Sequence, residues 1–477
     1  MQREVVNSKG KRKLAKCVIL RVPTKNMNTE TSGTVEPTLA RKLGLFDAAM
    51  IVMGGIIGSG IFINSYVVAR QVHSPALILG AWTFGGLIAL AGAFIYAELA
   101  ASLPLVGGQY AYLREAYHPA VAFLYGWVLL LVIQTGGMAA VSITFARYFL
   151  EATHLPVADW VIATVALAAL TAINCFGVRA GSSFQSVLMV LKIIAIVSIV
   201  ACGITVLKIS YLMNPTVSPG GSTDSLIAFG AAMTPVMFAF GGWHTSTFIA
   251  GELKEPQRDL ARGLLIGVLG VVALYLAINV VYVGVLGPVG LAETTTPAST
   301  VMKLALGPWG GVLLAMGISV STLGFLSQGM LTAPRVYFAM ARDGLFFKEV
   351  ARIHPTSRVP VVAVAIQGAL AALIAFLGTY EQILNYVVSI DFIAIGLTGT
   401  CIFIFRKRLA SFSNSGSGAL RFKVPGHPAT TIFFVIACWL VVISTIYQYP
   451  KNSAFGLLIL CAGLPVYLFW SRMKKAG

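Results

Sequence analysis

Long apolar segments recur along the whole chain, and charged residues, proline or glycine separate them. Each is roughly 20 residues or longer, the length that an α-helix needs to cross the hydrocarbon core of a bilayer. The pattern therefore predicts an all-α polytopic membrane protein with twelve transmembrane helices, spans one to twelve in chain order. Their predicted limits are residues 45–70, 76–103, 118–150, 157–176, 184–208, 225–252, 262–287, 306–341, 360–378, 382–405, 429–448 and 453–471.

The amino-acid composition also indicates that lipid surrounds most of the chain. Of the 477 residues, 57% are hydrophobic and only 11% are charged, whereas soluble domains carry about 25% charged residues. The first 42 residues differ, because they are rich in Lys and Arg and contain no apolar run long enough for a signal peptide. We predict a disordered basic cytoplasmic tail over residues 1–42 and a transmembrane domain over residues 43–477.

The basic residues also predict an orientation. They concentrate in the tail and in the loops that would share its side, so the positive-inside rule places both termini in the cytoplasm of a plasma (inner) membrane. The net charge of +17 then reflects topology and attraction to anionic lipid. No folded basic domain is apparent, and a nucleic-acid partner is not expected.

Two spans carry glycine clusters near their middle. Span one contains MGGIIGSGIF at residues 53–62, and span six contains MFAFGGWHTSTF at residues 237–248. They lie five spans apart, as expected for inverted repeats over residues 45–208 and 225–405, with the helices of residues 429–471 appended. Small residues that allow close helix packing are the alternative explanation of either cluster.

Broken helices at these clusters would suit a zwitterion. Unwinding frees backbone N–H and C=O groups, which a membrane tolerates only beside a cavity. Freed N–H groups at the positive end of the next half-helix suit a carboxylate, and freed carbonyls suit an ammonium group. An α-amino acid satisfies both sets at once.

Four stretches resemble one transporter family. They are residues 53–62, 86–117, 238–263 and 332–360, and they are similar to motifs of the L-type amino acid transporter family within the amino acid–polyamine–organocation superfamily. The resemblance implies a five-plus-five inverted repeat that works by alternating access. It implies that the substrate carboxylate meets the backbone of Gly58, Ser59 and Gly60. It further implies that the amino group meets the carbonyls of Ile56, Phe238, Ala239 and Gly241.

The chain also departs from the family. Animal members with a partner glycoprotein carry a cysteine between spans three and four, but residues 151–160 have none, so no disulfide-linked heavy chain is expected. Gln134 and Thr135 stand where those members tend to have Arg-Pro, and both departures point to a prokaryotic single-subunit member. His244 follows Trp243 where related transporters commonly have Asn.

Several ionisable or polar residues lie inside the spans. A charge at the depth of Lys192 is costly unless it has a role or snorkels to the interface. The resemblance implies that this lysine braces span five against the unwound part of span one, in place of the sodium ion of more distant relatives. It also implies that Tyr275 links the lysine region to span eight, although ordinary packing is the alternative for a buried tyrosine.

Weaker candidates remain open between a function and simple packing. Ser319 stands in span eight, where sodium-dependent relatives place hydroxyl ligands, and Asp391 in span ten could bind a proton or a cation. His244 is either a proton relay or a neutral packed histidine. Glu98 and Glu252 end spans two and six, where interfacial solvation is expected in preference to a gate ion pair with Arg335.

The sequence thus predicts a secondary transporter of L-amino acids. Neutral substrates are expected because the segments around the two glycine clusters contain no acidic residue. The resemblance implies exchange of one amino acid for another, and sodium independence is expected because Lys192 takes the ion's place. Proton-coupled symport and a non-transporting amino acid sensor are the alternatives. An enzyme is not expected, because the histidines are dispersed and no phosphate-binding loop is present. Neither a cofactor nor a metal is implied.

Overall fold

The computed structural model describes residues 39–213, 222–377, 380–412 and 422–476. Residues 1–38 of the predicted basic tail lie outside the described residues. Within these ranges the regular elements are all helical, and one isolated parallel bridge pairs Leu43 with Leu253. The prediction of an all-α chain is confirmed.

The α-helices are numbered α1 to α18 in chain order. They are α1 Leu45–Ile56, α2 Gly60–Val72, α3 Pro75–Ser102, α4 Gln109–Ala116, α5 Pro119–Val128, α6 Gln134–Thr153, α7 Asp159–Cys175, α8 Val178–Thr205, α9 Ile209–Met213, α10 Ser222–Phe240, α11 Pro256–Glu293, α12 Pro297–Leu306, α13 Pro308–Thr332, α14 Pro334–Arg342, α15 Val361–Leu377, α16 Tyr380–Phe412, α17 Ala429–Gln448 and α18 Pro450–Ala476. A π-helical turn, Leu129–Ile133, joins α5 to α6, and 3-10 helices cover Trp243–Glu252 and Lys348–Ala351.

Most of these helices suit a bilayer. In the described ranges, 9 helices are long and apolar enough to cross a membrane, and the bent pair α1–α2 brings the number to 10. Two further apolar helices are shorter, Asp159–Cys175 and Val361–Phe376, and they lie where spans four and nine are predicted. The predicted total of twelve spans and their inverted repeat stay predictions.

Span one is broken at its glycine cluster. Helix α1 ends at Ile56 and α2 begins at Gly60, and the two helices are bent by 42°. The last turn of α1 closes with the Ile57 N–H donating to the Met53 carbonyl over 2.9 Å. We call residues Ile57, Gly58 and Ser59 the first break. Its position is the one that the glycines of span one predict.

Span six is interrupted at its glycine cluster by a change of helical type. Helix α10 ends at Phe240, Gly242 takes the left-handed conformation with φ 90°, and the chain continues as the 3-10 helix Trp243–Glu252. We call Gly241 and Gly242 the second break. A residue with a side chain at Gly242 would be strained by this φ, which is the backbone reason for glycine at this position.

Neighbouring helices enclose the two breaks. Helix α1 packs against α8, α11 and α13, and α10 packs against α2 and α3. Helix α13 lies between α6 and α8, and α16 packs against α6 and α17. The breaks therefore lie inside the bundle, where their backbone groups are shielded from lipid.

Candidate substrate site

One cavity joins the two breaks. It holds about 940 Å³ of space not filled by atoms, part of it open to solvent. Every backbone position that the resemblance implies for substrate binding lines this cavity. These positions are Ile56, Gly58, Ser59, Gly60, Phe238, Ala239 and Gly241. The structure brings them together, and their role in binding stays a prediction.

The glycines of span one have different surroundings. A Cβ atom added at Gly55 would lie 2.7 Å from the Gly242 carbonyl oxygen, and one at Gly54 would lie 2.3 Å from Gln185 Nε2. At Gly58 the nearest atom would be on the Phe325 ring, at 3.3 Å. Gly54 and Gly55 thus allow close packing, as the alternative explanation of the cluster holds, and a Cβ at Gly58, which lines the cavity, would be in tight contact with Phe325.

We expect Gly55→Ala to abolish most transport and to lower the thermal stability of the purified protein. The added methyl group would collide with the backbone of the second break, which cannot move without displacing the 3-10 helix behind it. Thermal unfolding in detergent and exchange in proteoliposomes measure the two effects. Gly137→Ala is the matched control, because Gly137 lines the same cavity and its added Cβ meets nothing within 4 Å. Equal stability of the two variants would contradict this packing argument.

Lys192 faces the first break from α8. Its side chain is fully buried, and its ammonium group donates a hydrogen bond to the carbonyl of Ile57. Val190, Leu191 and Ile194 of the same helix are exposed on the outer surface of the bundle. Snorkelling is therefore wrong for this lysine, which points inward. Its part in replacing a sodium ion stays a prediction.

Helix α13 approaches the same place from the other side. The Ser321 hydroxyl donates to the Gly58 carbonyl over 3.3 Å, and a Cβ at Gly324 would lie 3.4 Å from Lys192 Nζ. Ser319 instead donates to the Ala315 carbonyl of its own helix over 2.8 Å and does not line the cavity. Of the span-eight hydroxyls, Ser321 is thus the one that contacts the first break, and Ser319 is engaged in its own helix.

Tyr275 joins the two broken spans. Its hydroxyl lies 3.3 Å from the Ile56 carbonyl oxygen and 3.2 Å from the Ala239 carbonyl oxygen. The Tyr275 hydroxyl thus links spans one and six, and the implied link to span eight stays a prediction. Each carbonyl oxygen has two lone pairs, so both can still accept a bond from a substrate ammonium group.

His244 and Asp391 both line the cavity. His244 belongs to the 3-10 helix after the second break, Asp391 belongs to α16, and their Nε2 and Oδ1 atoms are 3.7 Å apart. The segments around the two breaks have no acidic residue. The fold nevertheless brings the Asp391 carboxyl group of α16 into the lining of the cavity. The reason given for a neutral substrate is therefore incomplete.

Other residues that line the cavity were not predicted from the sequence to belong to the site. They come from the π-helical turn, α6, α13 and α16, and they include Leu129, Gln134, Gly137, Val141, Phe325, Gln328, Val388 and Phe392. Gln134 and Gln328 are polar residues in the middle of apolar spans, which was a usable signal. The apolar residues carry no such signal, because any span contains many like them.

Two acidic residues at the end where α1 begins are paired. Arg335 of α14 contacts Glu252 through two hydrogen bonds of 2.6 and 3.2 Å, and both side chains are fully buried. Arg406 of α16 contacts Glu98 over 2.7 and 2.6 Å, and the Val424 N–H also donates to Glu98. Interfacial solvation, the expected state of Glu98 and Glu252, is therefore wrong because the bundle supplies a guanidinium group to each.

Comparison with known proteins agrees with this arrangement. A family model described as amino acid permease matches residues 43–467. The chain belongs to the amino acid permease family. This permease is 31% identical to the serine/threonine exchanger SteT of Bacillus subtilis (strain 168), with 94% of this chain and 100% of that protein covered. The predicted membership of the L-type branch of the superfamily is confirmed.

Human relatives are more distant. The permease is 28% identical to the human large neutral amino acids transporter small subunit 2, over 93% of this chain and 83% of that protein. It is 27% identical to the human cystine/glutamate transporter, over 94% of this chain and 89% of that protein. These similarities extend over nearly the whole described bundle, so they include both breaks.

Proposed function

We propose that this permease exchanges L-amino acids across the plasma membrane by alternating access and without sodium. The observation that carries the proposal is the meeting of two broken helices at one cavity. The Phe62 N–H at the start of α2 donates to the Ser59 carbonyl over 3.1 Å. The N–H groups that precede it have no acceptor within that helix, and they lie at the positive end of its dipole. A substrate carboxylate at Gly58, Ser59 and Gly60 would accept hydrogen bonds from these free N–H groups.

The substrate ammonium group would lie at the opposite side of the cavity. Carbonyls at the ends of α1 and α10, those of Ile56, Phe238, Ala239 and Gly241, would accept its protons. The Tyr275 hydroxyl lies within hydrogen-bond distance of both the Ile56 and the Ala239 carbonyl oxygens and can donate its proton to either. The acceptors of both spans are therefore fixed relative to each other. Such preorganisation lowers the cost of binding a small zwitterion.

Sodium independence follows from Lys192 in this proposal. Its ammonium group occupies the position between α8 and the first break, so a cation there would meet a like charge at short range. Exchange is supported by the name of the bacterial relative, which is described as an exchanger. The amino acid and the bilayer are the only partners proposed, without a disulfide-linked heavy chain.

The proposal includes the topology that the sequence predicts. Helices α7 and α15 would complete twelve spans, with the first ten in two inverted repeats and both termini in the cytoplasm. Proton-coupled symport is the second candidate, and the His244–Asp391 pair beside the substrate cavity favours it. An amino acid sensor would bind the same zwitterion without moving it, whereas an enzyme has no supporting constellation at this cavity.

Counterflow in proteoliposomes tests the proposal. Vesicles loaded with a millimolar mixture of unlabelled amino acids should accumulate external radiolabelled L-amino acid, and empty vesicles should not. An imposed sodium gradient should leave the rate unchanged. Accumulation driven in empty vesicles by a pH gradient would favour symport, and binding without counterflow would favour the sensor. Absence of uptake for every amino acid, with and without ion gradients, would refute transport.

A further inference from the structure

Two polar side chains in the cavity are not needed for the zwitterion. The backbone of the two breaks is sufficient for the α-amino and carboxylate groups, yet His244 and Asp391 also line the same space. The 3.7 Å between His244 Nε2 and Asp391 Oδ1 exceeds a direct hydrogen bond. The pair is therefore close enough to share one intervening polar atom.

The pair also lacks other partners. Among the residues that the structure describes, neither ring nitrogen of His244 nor Oδ1 of Asp391 has a hydrogen-bond partner, although the two side chains are only 2% and 13% exposed. More than about nine in ten buried polar groups in proteins are paired. An incoming polar group is therefore expected to satisfy them, and the cavity is the route by which it arrives.

The chemistry of the pair selects the kind of group. A neutral imidazole has one N–H donor and one acceptor nitrogen. The nitrogen nearest Asp391 carries the proton, because a lone pair facing the carboxylate oxygen would be repelled. His244 and Asp391 then present one donor and one acceptor. A hydroxyl group both accepts and donates, so a single oxygen can accept from His244 Nε2 and donate to Asp391 Oδ1, while His244 Nδ1 takes no part in this contact.

A cationic side chain fits this pair less well. An ammonium group has three donors and no acceptor, so it would leave the imidazole N–H unpaired and beside a positive charge. The other lining residues of α16 around Asp391 are Val387, Val388 and Phe392, and they provide no further acceptor side chain. Other polar side chains also line the cavity, among them Gln134, Thr245 and Gln328, and Gln328 donates to the Thr245 hydroxyl over 2.7 Å. At the His244–Asp391 pair itself, one hydroxyl is the group that matches.

The position of His244 sets the length of the side chain. It lies two residues after Gly242, so it is close to the second break, where the proposed ammonium site is. This short separation from the proposed ammonium site favours a hydroxyl close to the α-carbon of the substrate over one at the end of a long side chain.

We propose that His244 and Asp391 form the side-chain subsite of this permease and select L-amino acids that carry a hydroxyl on the β-carbon. This inference rests on the proposed function, since it names the substrate class of the same cavity. Serine and threonine are the common amino acids with this chemistry. The subsite discriminates by leaving its own polar groups unpaired when the hydroxyl is absent.

Threonine and valine provide the test, because they have nearly the same shape and differ by the hydroxyl. In counterflow with the full chain in proteoliposomes, we expect threonine to exchange with a kcat/KM at least about tenfold above that of valine, as sites that bind a hydroxyl reject analogues lacking it. Asp391→Leu should bring the threonine-to-valine ratio close to one. Asp391→Asn, which keeps an acceptor oxygen, should retain part of the preference.

Asp159→Leu is the matched control, since Asp159 is exposed and lies outside the cavity; it should keep the wild-type ratio. If the wild-type protein exchanges valine and threonine equally, the subsite is refuted while transport stands. Preferential exchange of lysine would also overturn it, in favour of a cationic side chain. If Asp391→Leu fails to fold, the wild-type ratio and Asp391→Asn still decide. No exchange of any amino acid would refute the proposed function itself.

Discussion

Lys192→Ala is expected to reduce amino acid exchange by about 10- to 100-fold. The substitution removes the donor to the Ile57 carbonyl and leaves that buried oxygen unpaired. An unpaired buried acceptor costs about 1–3 kcal/mol, and 1.4 kcal/mol corresponds to a factor of ten. The first break would then lose the contact that fixes it to α8, and its backbone would no longer be held in the geometry that binds substrate.

The rate of counterflow in proteoliposomes measures this effect. Lys192→Arg keeps a cationic donor and should retain more activity than Lys192→Ala, although the larger head group disturbs the close contact with Gly324. Lys303→Ala is the matched control, because Lys303 is exposed on α12 and should exchange at the wild-type rate. Wild-type exchange by a correctly folded Lys192→Ala protein would show that the bond to the first break is dispensable.

Arg335→Met is expected to lower the free energy of unfolding by about 3–5 kcal/mol, the usual cost of removing one partner of a buried ion pair. Glu252 would remain fully buried with its carboxylate facing no guanidinium group. The backbone carbonyl of Glu252 also accepts the N–H groups of Lys42 and Leu43. The loss should therefore loosen the whole end of the bundle where α1 begins.

Thermal and chemical unfolding in detergent measures this loss. The double variant Glu252→Gln with Arg335→Met should recover much of the stability, since it leaves no uncompensated charge. Arg258→Met is the matched control, because its pair with Glu255 is 51% and 61% exposed and exposed pairs contribute about 0–1 kcal/mol. Equal destabilisation by Arg335→Met and Arg258→Met would show that the buried Glu252–Arg335 pair contributes no more to the free energy of unfolding than an exposed pair.

The Glu252–Arg335 pair also has a consequence for alternating access. It connects the 3-10 helix after the second break to α14, and the two segments must separate if the cavity is to open at this end. In the proposed transport cycle, this pair and the Glu98–Arg406 pair would hold the end where α1 begins closed. Arg335→Met should therefore favour opening at this end as well as reduce stability.

Local features of the sequence determined the helical class, the apolar segments and the places where two of them break. Each of these depends on residues close together in the chain: a span needs about 20 apolar residues, and a break needs glycines such as Gly58 and Gly242. A charge inside an apolar span singled out Lys192, the resemblance implied its role, and the structure places its ammonium group against the first break.

Only the tertiary structure decided which polar residues meet. Asp391 lies in α16, far along the chain from His244, and neither spacing nor composition predicts that they line one cavity at 3.7 Å. The same holds for the link from Tyr275 to both breaks and for the guanidinium groups that pair with Glu98 and Glu252. These contacts depend on how helices distant in sequence pack side by side, and that packing is set by side-chain shape over the whole bundle rather than by any local pattern.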